Sequence, residues 1–172
     1  MASRLCVDIN RIYSSYVNRF GGNGKLVMLT FVWAPVAGGI LGATPDGRLA
    51  GVPVAHSITP QSMAMTKGIT VAMNSCTSLP FELFNGGAST MWDLDPSFAT
   101  PEIVSSLFMT FFERGGQIFQ GNMTDVEELK KALENPDQYR HLIVRVGGYS
   151  SRFVTLNRAL QEEIINRLRH NC

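Results

Sequence analysis

Two adjacent glycines, Gly147 and Gly148, stand between two runs of strand-forming residues near the end of the sequence. The run before them is His141–Val146 and the run after them is Tyr149–Val154, and both have the composition of β-strands. A Gly-Gly pair between two such runs is a standard signal for a two-residue turn. Spacing alone therefore predicts a β-hairpin with Gly147 and Gly148 at its tip.

The bulk composition excludes several classes of protein. The chain has 172 residues, of which 45% are hydrophobic and only 17% are charged, and its net charge is +1. A charge this small implies no general attraction to nucleic acid or to acidic membranes. The low charged fraction indicates that much of the chain is buried or packs against something larger. Three cysteines form neither a disulfide framework nor a metal-ligand pattern, which favours a reducing, cytoplasmic setting.

No targeting or membrane segment is expected. The opening residues, Met1–Asn10, lack the apolar core of a secretory signal. The stretch Leu26–Ala43 has 18 residues without a charge, close to the length that spans a bilayer. It contains one proline and three glycines, so the sequence favours a buried strand over about 25–33 leading into a glycine-rich loop.

Periodicity and capping residues predict a mixed α and β chain. Thr100 suits the N-cap of a helix, Pro101 suits its first position, and Thr124–Glu127 has the pattern of a capping box that opens another helix. The expected helices cover about 4–20, 101–114, 124–134 and 157–169. The expected strands are 25–33, 69–73 and 117–123, with a tight turn at 44–48 and irregular chain over 75–99.

Four further stretches of the sequence are informative together with the glycine loop, and so is the order in which they follow one another along the chain. They are Gly42–Gly51, Phe112–Asn122, Leu133–Tyr149 and Leu160–Ile165. Together with the loop Arg145–Phe153, these blocks resemble the C-terminal part of the glycyl radical enzymes, the pyruvate formate-lyase-like family. The resemblance implies an α/β fold, the C-terminal portion of a ten-stranded β/α barrel, with the radical glycine on a hairpin-like loop. It also suggests that residues 1–43 are the tail of the barrel domain and that residues 44–172 are a glycine radical domain.

The resemblance assigns a chemical role to one residue of the pair. By position in the loop, Gly148 corresponds to the glycine whose Cα carries an unpaired electron, and Gly147 provides steric room beside it. A Cα radical flattens towards planarity, and glycine has no Cβ that would crowd the planar form. In this family the radical is a post-translational modification, with no bound cofactor. An activating enzyme that uses S-adenosylmethionine and an iron–sulfur cluster installs it.

The resemblance also implies a partner cysteine that this chain does not supply. In the family the glycyl radical oxidises a cysteine on a barrel loop, and the resulting thiyl radical attacks the substrate. Cys6 falls in a helical pattern and is interpreted as an ordinary buried cysteine, Cys76 as a loop cysteine, and Cys172 as an exposed terminal thiol. The chain would therefore hold the radical store, and an N-terminal barrel portion would carry the catalytic cysteine.

Three functions remain open from the sequence. The first is the C-terminal portion of a formate acetyltransferase or a related dehydratase or lyase, which would not turn over alone. The second is an autonomous glycyl radical cofactor that replaces the oxygen-damaged C-terminus of a lyase. The third is a non-catalytic α/β binding module in which the hairpin is only a hairpin.

Other polar and aromatic residues have simpler interpretations. Asp46 and Arg48 are predicted to form a local ion pair in a turn, and Arg145 and Arg152 to form structural ion pairs beside the loop. The phenylalanines at 108, 111 and 112 are predicted to be core. Three dispersed histidines, at positions 56, 141 and 170, suggest no metal site.

Overall fold

The computed structural model of the chain describes residues 1–61 and 64–168, and this part is mixed α and β. The α-helices are α1 (Ala2–Ser14), α2 (Trp33–Ile40), α3 (Ile69–Cys76), α4 (Pro101–Glu113), α5 (Val126–Glu134) and α6 (Arg158–Leu168). Among the described residues, short 3-10 helices cover Phe81–Leu83, Pro136–Tyr139 and Phe153–Thr155. The predictions for His170 and Cys172, and for the last helix beyond residue 168, lie outside the described residues.

Four short strands form two separate pairs. They are β1 (Ser89–Asp93), β2 (Ile118–Asn122), β3 (Ile143–Arg145) and β4 (Ser150–Arg152). β1 and β2 pair in parallel with α4 between them in sequence, as a parallel pair requires a long connection. β3 and β4 pair antiparallel, with Arg145 opposite Ser150, which confirms the predicted hairpin.

Two apolar clusters build the interior. The larger one joins α3, α4 and β1 around aromatic rings, including Phe81, Phe84, Trp92 and Phe111. The smaller one joins α5, α6 and the hairpin around Leu129, Val144, Phe153 and Ile164. The Phe stripe of α4 is core at Phe111, which is fully buried, while Phe108 and Phe112 are partly exposed.

The starts of the helices were predicted from the sequence more accurately than other features. The Thr100 hydroxyl accepts the Ile103 N–H at 3.4 Å, and Pro101 opens α4, as predicted. β2 lies within the predicted strand 117–123. In α5 the prediction was right for the helix and wrong for its cap. Asp125, and not Thr124, caps it by accepting the Glu127 N–H at 2.8 Å.

The predicted strand over 25–33 is wrong. In this stretch the structure has one isolated bridge, between Met28 and Ala88, and Trp33 already begins α2. Pro35 lies in the first turn of that helix, where a missing N–H costs nothing. Gly38 lies inside the helix. Only glycine fits at this position, because a Cβ there would be 2.2 Å from the carbonyl oxygen of Val52. The stretch therefore contains a short helix that packs closely through Ala34 and Gly38, while Trp33 and Ile40 are exposed and Gly42 lies in the loop that follows.

Two further assignments are corrected. Residues 69–73 form helix α3 and not a strand, because Ile69, Ala72, Met73 and Cys76 are the buried positions and their spacing is helical. The stretch predicted to be irregular contains β1, whose five residues are all buried and therefore show no alternation. The first helix ends at Ser14, six residues earlier than predicted (20 − 14).

Candidate functional site

The loop at Gly147 and Gly148 is a two-residue turn at the tip of the β3–β4 hairpin. The Val146 N–H donates to the Tyr149 carbonyl at 3.0 Å and closes the turn. Gly148 has φ +76°, in the left-handed region that favours glycine, at the second central position of the turn. Gly148 is exposed, whereas Gly147 is buried. The residue assigned to radical storage is therefore the accessible one of the pair.

Phe31 covers the inner side of this turn. A Cβ built on Gly147 would lie 3.2 Å from both the Cα and the Cβ of Phe31. A Cβ on Gly148 would lie 3.7 Å from the nearest Phe31 ring atom, which is ordinary van der Waals contact. Gly147 is thus required for space, and Gly148 for its backbone angle. Phe31 itself has φ +45°, an uncommon angle for an aromatic residue.

Two amide side chains of β2 hold the hairpin. Alternate residues of a strand point to the same face, so Gln120 and Asn122 face the hairpin together. The Gln120 Oε1 accepts the Gly148 N–H at 2.7 Å and the Arg145 Nε at 2.9 Å. The Asn122 Oδ1 accepts the Arg145 N–H at 2.5 Å, while its Nδ2 donates to the Arg145 carbonyl at 3.0 Å. These side chains replace the main-chain ladder that would otherwise join β2 to β3.

Residues of β1 orient the two amides by accepting hydrogen bonds from their nitrogen atoms. The Gln120 Nε2 donates to the Ser89 Oγ at 2.6 Å, and the Asn122 Nδ2 donates to the Asp93 Oδ1 at 2.8 Å. All four of these side chains are buried. The polar layer runs from β1 through β2 to the hairpin, and each amide contacts both neighbours.

A second polar group, on α6, reaches the same hairpin. The Arg167 guanidinium lies 3.5 Å from the Val146 carbonyl oxygen and 3.4 Å from that of Arg145. It also lies 3.3 Å from Glu163 and 3.7 Å from Asp93. Helix α6 is therefore linked by charge to the two residues that precede the glycine pair.

The carboxyl groups around Arg167 are buried, and their pKa values are shifted from the ordinary ones. Burial raises the pKa of Asp93, and the charge of Arg167 and the hydrogen bond from Asn122 only partly oppose it. Burial would also raise the pKa of Glu163, but its hydrogen bond with His56, at 2.6 Å, and the charge of Arg167 outweigh burial and lower it. A cavity of about 240 Å³ adjoins these residues between the segment 52–61, Met65, β1 and α6.

The structure changes several interpretations of charged residues. Within the described residues neither Arg145 nor Arg152 forms an ion pair, so that prediction is wrong: Arg145 binds Gln120, and Arg152 is exposed. The turn at 44–48 is confirmed by the Gly47 N–H, which donates to the Thr44 carbonyl at 3.0 Å. Arg48 is buried and donates to main-chain carbonyls, including that of Val52 at 2.6 Å.

The two described cysteines are structural. Cys6 is buried, as predicted. Cys76 is wrongly predicted as a loop residue: it ends α3, is buried, and donates from its Sγ to the Ile58 carbonyl at 3.0 Å. Burial raises its pKa to about 12, so its thiol stays protonated. In residues 1–61 and 64–168 there is no group of three or more His, Cys, Asp and Glu side chains that could hold a metal.

Comparison with known proteins identifies the family. A family model described as "Glycine radical" matches residues 54–154, more than half of the chain. The chain belongs to the glycyl radical enzymes. The matched range includes β1, β2 and the hairpin with Gly148, and so contains most of the polar layer.

Curated and solved relatives agree with this assignment. The chain is 34% identical over 170 residues to a trans-4-hydroxy-L-proline dehydratase of Clostridioides difficile, covering 92% of this chain and 21% of the relative. It is 32% identical to a formate acetyltransferase of Haemophilus influenzae, covering 81% of this chain and 20% of the relative. A B12-independent glycerol dehydratase from Clostridium butyricum, solved with glycerol bound, superimposes with a TM-score of 0.86 at 32% identity. The match covers 96% of this chain and 22% of that structure.

The similarity confirms the expected α/β fold and its relation to the glycyl radical enzyme barrel. The chain spans about a fifth of the length of the curated relatives that it matches. Among the residues that the structure describes, no helix is long and apolar enough to cross a membrane.

The sequence did not single out Gln120, Asn122, Ser89 or Asp93. The available signal was the presence of two amides at alternate positions of a strand that was otherwise predicted correctly. When polar residues occupy the buried positions of a strand, they indicate a specific hydrogen-bonding partner on that face.

Proposed function

We propose that this chain is the glycyl radical-bearing C-terminal portion of a pyruvate formate-lyase-like enzyme, and that Gly148 stores the radical. The observation that carries the proposal is the state of Gly148 itself. It is exposed, lies at positive φ, and is fixed through its N–H by a buried glutamine. A plain hairpin turn does not require a buried side-chain layer that ends on one glycine.

The proposed reaction removes one hydrogen atom from Gly148. A radical S-adenosylmethionine activating enzyme would supply a carbon radical by one-electron reductive cleavage of a carbon–sulfur bond of S-adenosylmethionine, with methionine as the leaving group. The Gly148 Cα–H bond breaks homolytically, and the hydrogen atom passes to that carbon radical. Gly148 retains one α-hydrogen and one unpaired electron. The exposed position of Gly148 gives such an enzyme access to it.

The stored radical is then used by a cysteine of the barrel portion. In this step the Gly148 Cα takes a hydrogen atom from the cysteine S–H and leaves a thiyl radical. Neither Cys6 nor Cys76 fits that role, since both are buried and Cys76 donates its hydrogen bond internally. The catalytic cysteine is therefore assigned to an N-terminal barrel portion. The bond that is cleaved in the substrate is also determined there.

The surface of the first fifty residues supports such a partner. Many large apolar side chains there are exposed, which is typical of a surface that packs against another part of a protein. They include Leu5, Ile12, Tyr13, Tyr16, Val17, Phe20, Trp33, Val36, Ile40, Leu41 and Leu49. We assign residues 1–43 to the tail of the barrel and residues 44–172 to the radical domain. Phe31, in the barrel tail, reaches the radical loop.

An autonomous radical cofactor remains the second candidate. The exposure of Gly148 within this chain favours it, because such a cofactor must be activated and then docked. Both functions place the protein in the cytoplasm, where free thiols such as Cys6 and Cys76 persist.

Electron paramagnetic resonance tests the proposal directly. The anaerobic chain is incubated with S-adenosylmethionine, a reductant and an activating enzyme that is active on another glycyl radical enzyme. A doublet from one α-hydrogen is expected, with further splitting when the protein is labelled with 2-¹³C-glycine. The signal should be absent in Gly148→Ala and retained in Gly39→Ala, a matched change at a glycine with open space around it. A doublet in Gly148→Ala, or none in a folded wild-type chain, would contradict the assignment.

A further inference from the structure

We infer that Gln120 is a positioning residue for the radical glycine, holding the Gly147–Gly148 peptide in one orientation through the Gly148 N–H. The inference rests on the proposed function, since it concerns the state of Gly148 after hydrogen abstraction. It identifies a residue outside the loop on which the stability of the radical depends.

The amide of Gln120 has only one orientation that satisfies its neighbours. Its Oε1 meets two donors, the Gly148 N–H at 2.7 Å and the Arg145 Nε at 2.9 Å. Its Nε2 meets the Ser89 hydroxyl at 2.6 Å. A flipped amide would direct an NH₂ group at two donors, which is unfavourable in a buried site. Gln120 is only 6% exposed, so water cannot replace the lost contacts.

This contact acts on the group that stabilises the radical. The unpaired electron on a glycine Cα is shared with the lone pair of its own amide nitrogen and with the adjacent carbonyl. Sharing requires the amide plane and the radical orbital to keep a fixed relation. Glycine alone does not fix that relation, because its backbone has more freedom than that of any other residue. An acceptor on the N–H holds the plane and increases electron density on the nitrogen, which donates to the electron-poor carbon.

Glutamine meets these requirements better than glutamate at this position. A carboxylate would accept from the same donors, but it would be drawn to the Arg145 guanidinium and could not donate to Ser89. A neutral amide satisfies β1, Arg145 and Gly148 together without burying a charge.

The first arm of the experiment uses the chain without activation. Hydrogen exchange of individual amides is followed by NMR in wild type, Gln120→Met and Gln120→Glu. Methionine removes the acceptor at similar length, and glutamate restores it. We expect the Gly148 N–H to exchange about tenfold faster in Gln120→Met than in wild type and to recover in Gln120→Glu. The Val146 N–H, which bonds to the Tyr149 carbonyl across the turn, is the internal control, because general loss of folding would expose both amides.

The second arm follows the radical. After activation, the doublet in Gln120→Met should decay severalfold faster under anaerobic conditions than in wild type, and Gln120→Glu should recover most of its lifetime. Ser89→Ala is a milder variant, because it removes only the partner of the Gln120 Nε2. In this variant the Gly148 N–H should exchange about threefold faster than in wild type. This variant keeps the inference testable if Gln120→Met does not fold.

The outcomes separate the two proposals. Gly148 exchange that tracks Val146 exchange in every variant, or a radical of equal lifetime in wild type and Gln120→Met, would overturn the positioning role. Selective exposure of the Gly148 N–H in Gln120→Met, with no radical in any protein including wild type, would overturn the proposed function and the radical role of Gln120 together.

Discussion

Phe31 occupies the space that a side chain at position 147 would need. A Cβ on Gly147 would lie 3.2 Å from both the Cα and the Cβ of Phe31, closer than ordinary carbon contacts. One of the two atoms is backbone, so a rotamer change cannot relieve the contact. The inner face of the Gly147–Gly148 turn is thus fitted to the segment before α2.

The first prediction concerns Gly147→Ala. It should lower the free energy of unfolding by about 1–2 kcal/mol, because Phe31 must move by a few tenths of an ångström. Urea denaturation measures the change. Phe31→Gly removes the Cβ and ring contacts and leaves only the contact with the Cα, so the double variant should lose less stability than the sum of the two single variants. Additive losses would show that Phe31 does not limit position 147.

A second prediction separates steric from conformational demands at Gly148. A Cβ there has no neighbour closer than 3.7 Å, but φ is +76°. Gly148→Ala should therefore cost about 1–2 kcal/mol of stability through backbone strain alone. Gly148→Asn should cost less, because asparagine tolerates the left-handed region better than alanine does. Thermal denaturation of the two variants compares them, and a greater loss for asparagine would point to crowding instead.

The sequence predicted local structure where a few adjacent residues decide it. Thr100 and Pro101 start α4 by chemistry within one turn, and the Gly147–Gly148 pair closes its hairpin in the same local way. The stretches that failed are apolar runs in which tertiary packing decides the conformation. In helix Trp33–Ile40, Gly38 lies directly against Val52, a tertiary contact that the sequence cannot reveal.

The sequence singled out the glycine of the candidate site, but it did not single out the residues that hold this glycine in place. Gly148 stands out because its neighbours in sequence carry the family resemblance. Gln120 and Ser89 are distant from it in sequence and reach it only through the pairing of β1 with β2. Glu163 and Arg167 are on α6 and are buried, whereas charged side chains are mostly exposed, so their type gave no signal of this role.

The third prediction tests the role of Asn122. Replacing it with leucine leaves the Arg145 N–H and one Asp93 oxygen without their partner, and leaves the Arg145 carbonyl with only the 3.4 Å contact from Arg167. Unpaired buried groups cost about 1–3 kcal/mol each, so Asn122→Leu should lower the free energy of unfolding by about 3 kcal/mol or more. Asn74→Leu, at an exposed position of α3, is the matched control and should change stability by less than about 0.5 kcal/mol. Similar effects from both variants in urea denaturation would contradict the role of Asn122 in the polar layer.

A fourth prediction concerns thiol reactivity. The pKa of Cys76 is raised to about 12 by burial, and its Sγ donates to a carbonyl. In a Cys172→Ser background, the folded chain at pH 8 should therefore resist alkylation by iodoacetamide at Cys76, and react there only after unfolding in urea. Mass spectrometry of the peptides locates the label. Fast alkylation of Cys76 in the folded chain would reopen a chemical role for this thiol.

The last prediction concerns pH and the anchoring of α6. The pKa of Glu163 is lowered in the fold, despite burial, by His56 and Arg167. Its carboxylate therefore contributes stability that is fully present above the ordinary glutamate pKa of about 4.3 and is lost as the pH falls through the lowered value. Glu163→Gln should cost about 2 kcal/mol at pH 7, because it removes the buried carboxylate charge that faces the Arg167 guanidinium at 3.3 Å. The difference between the two proteins should then shrink as the pH falls below about 4. Asp93 contributes in the opposite sense, since burial raises its pKa and this favours the fold at low pH; the charge of Glu163 is a lesser cause of that rise, so the contribution is smaller in Glu163→Gln. Urea denaturation from pH 3 to pH 7 measures both curves. Parallel curves would mean that the carboxylate of Glu163 does not hold α6 against the hairpin.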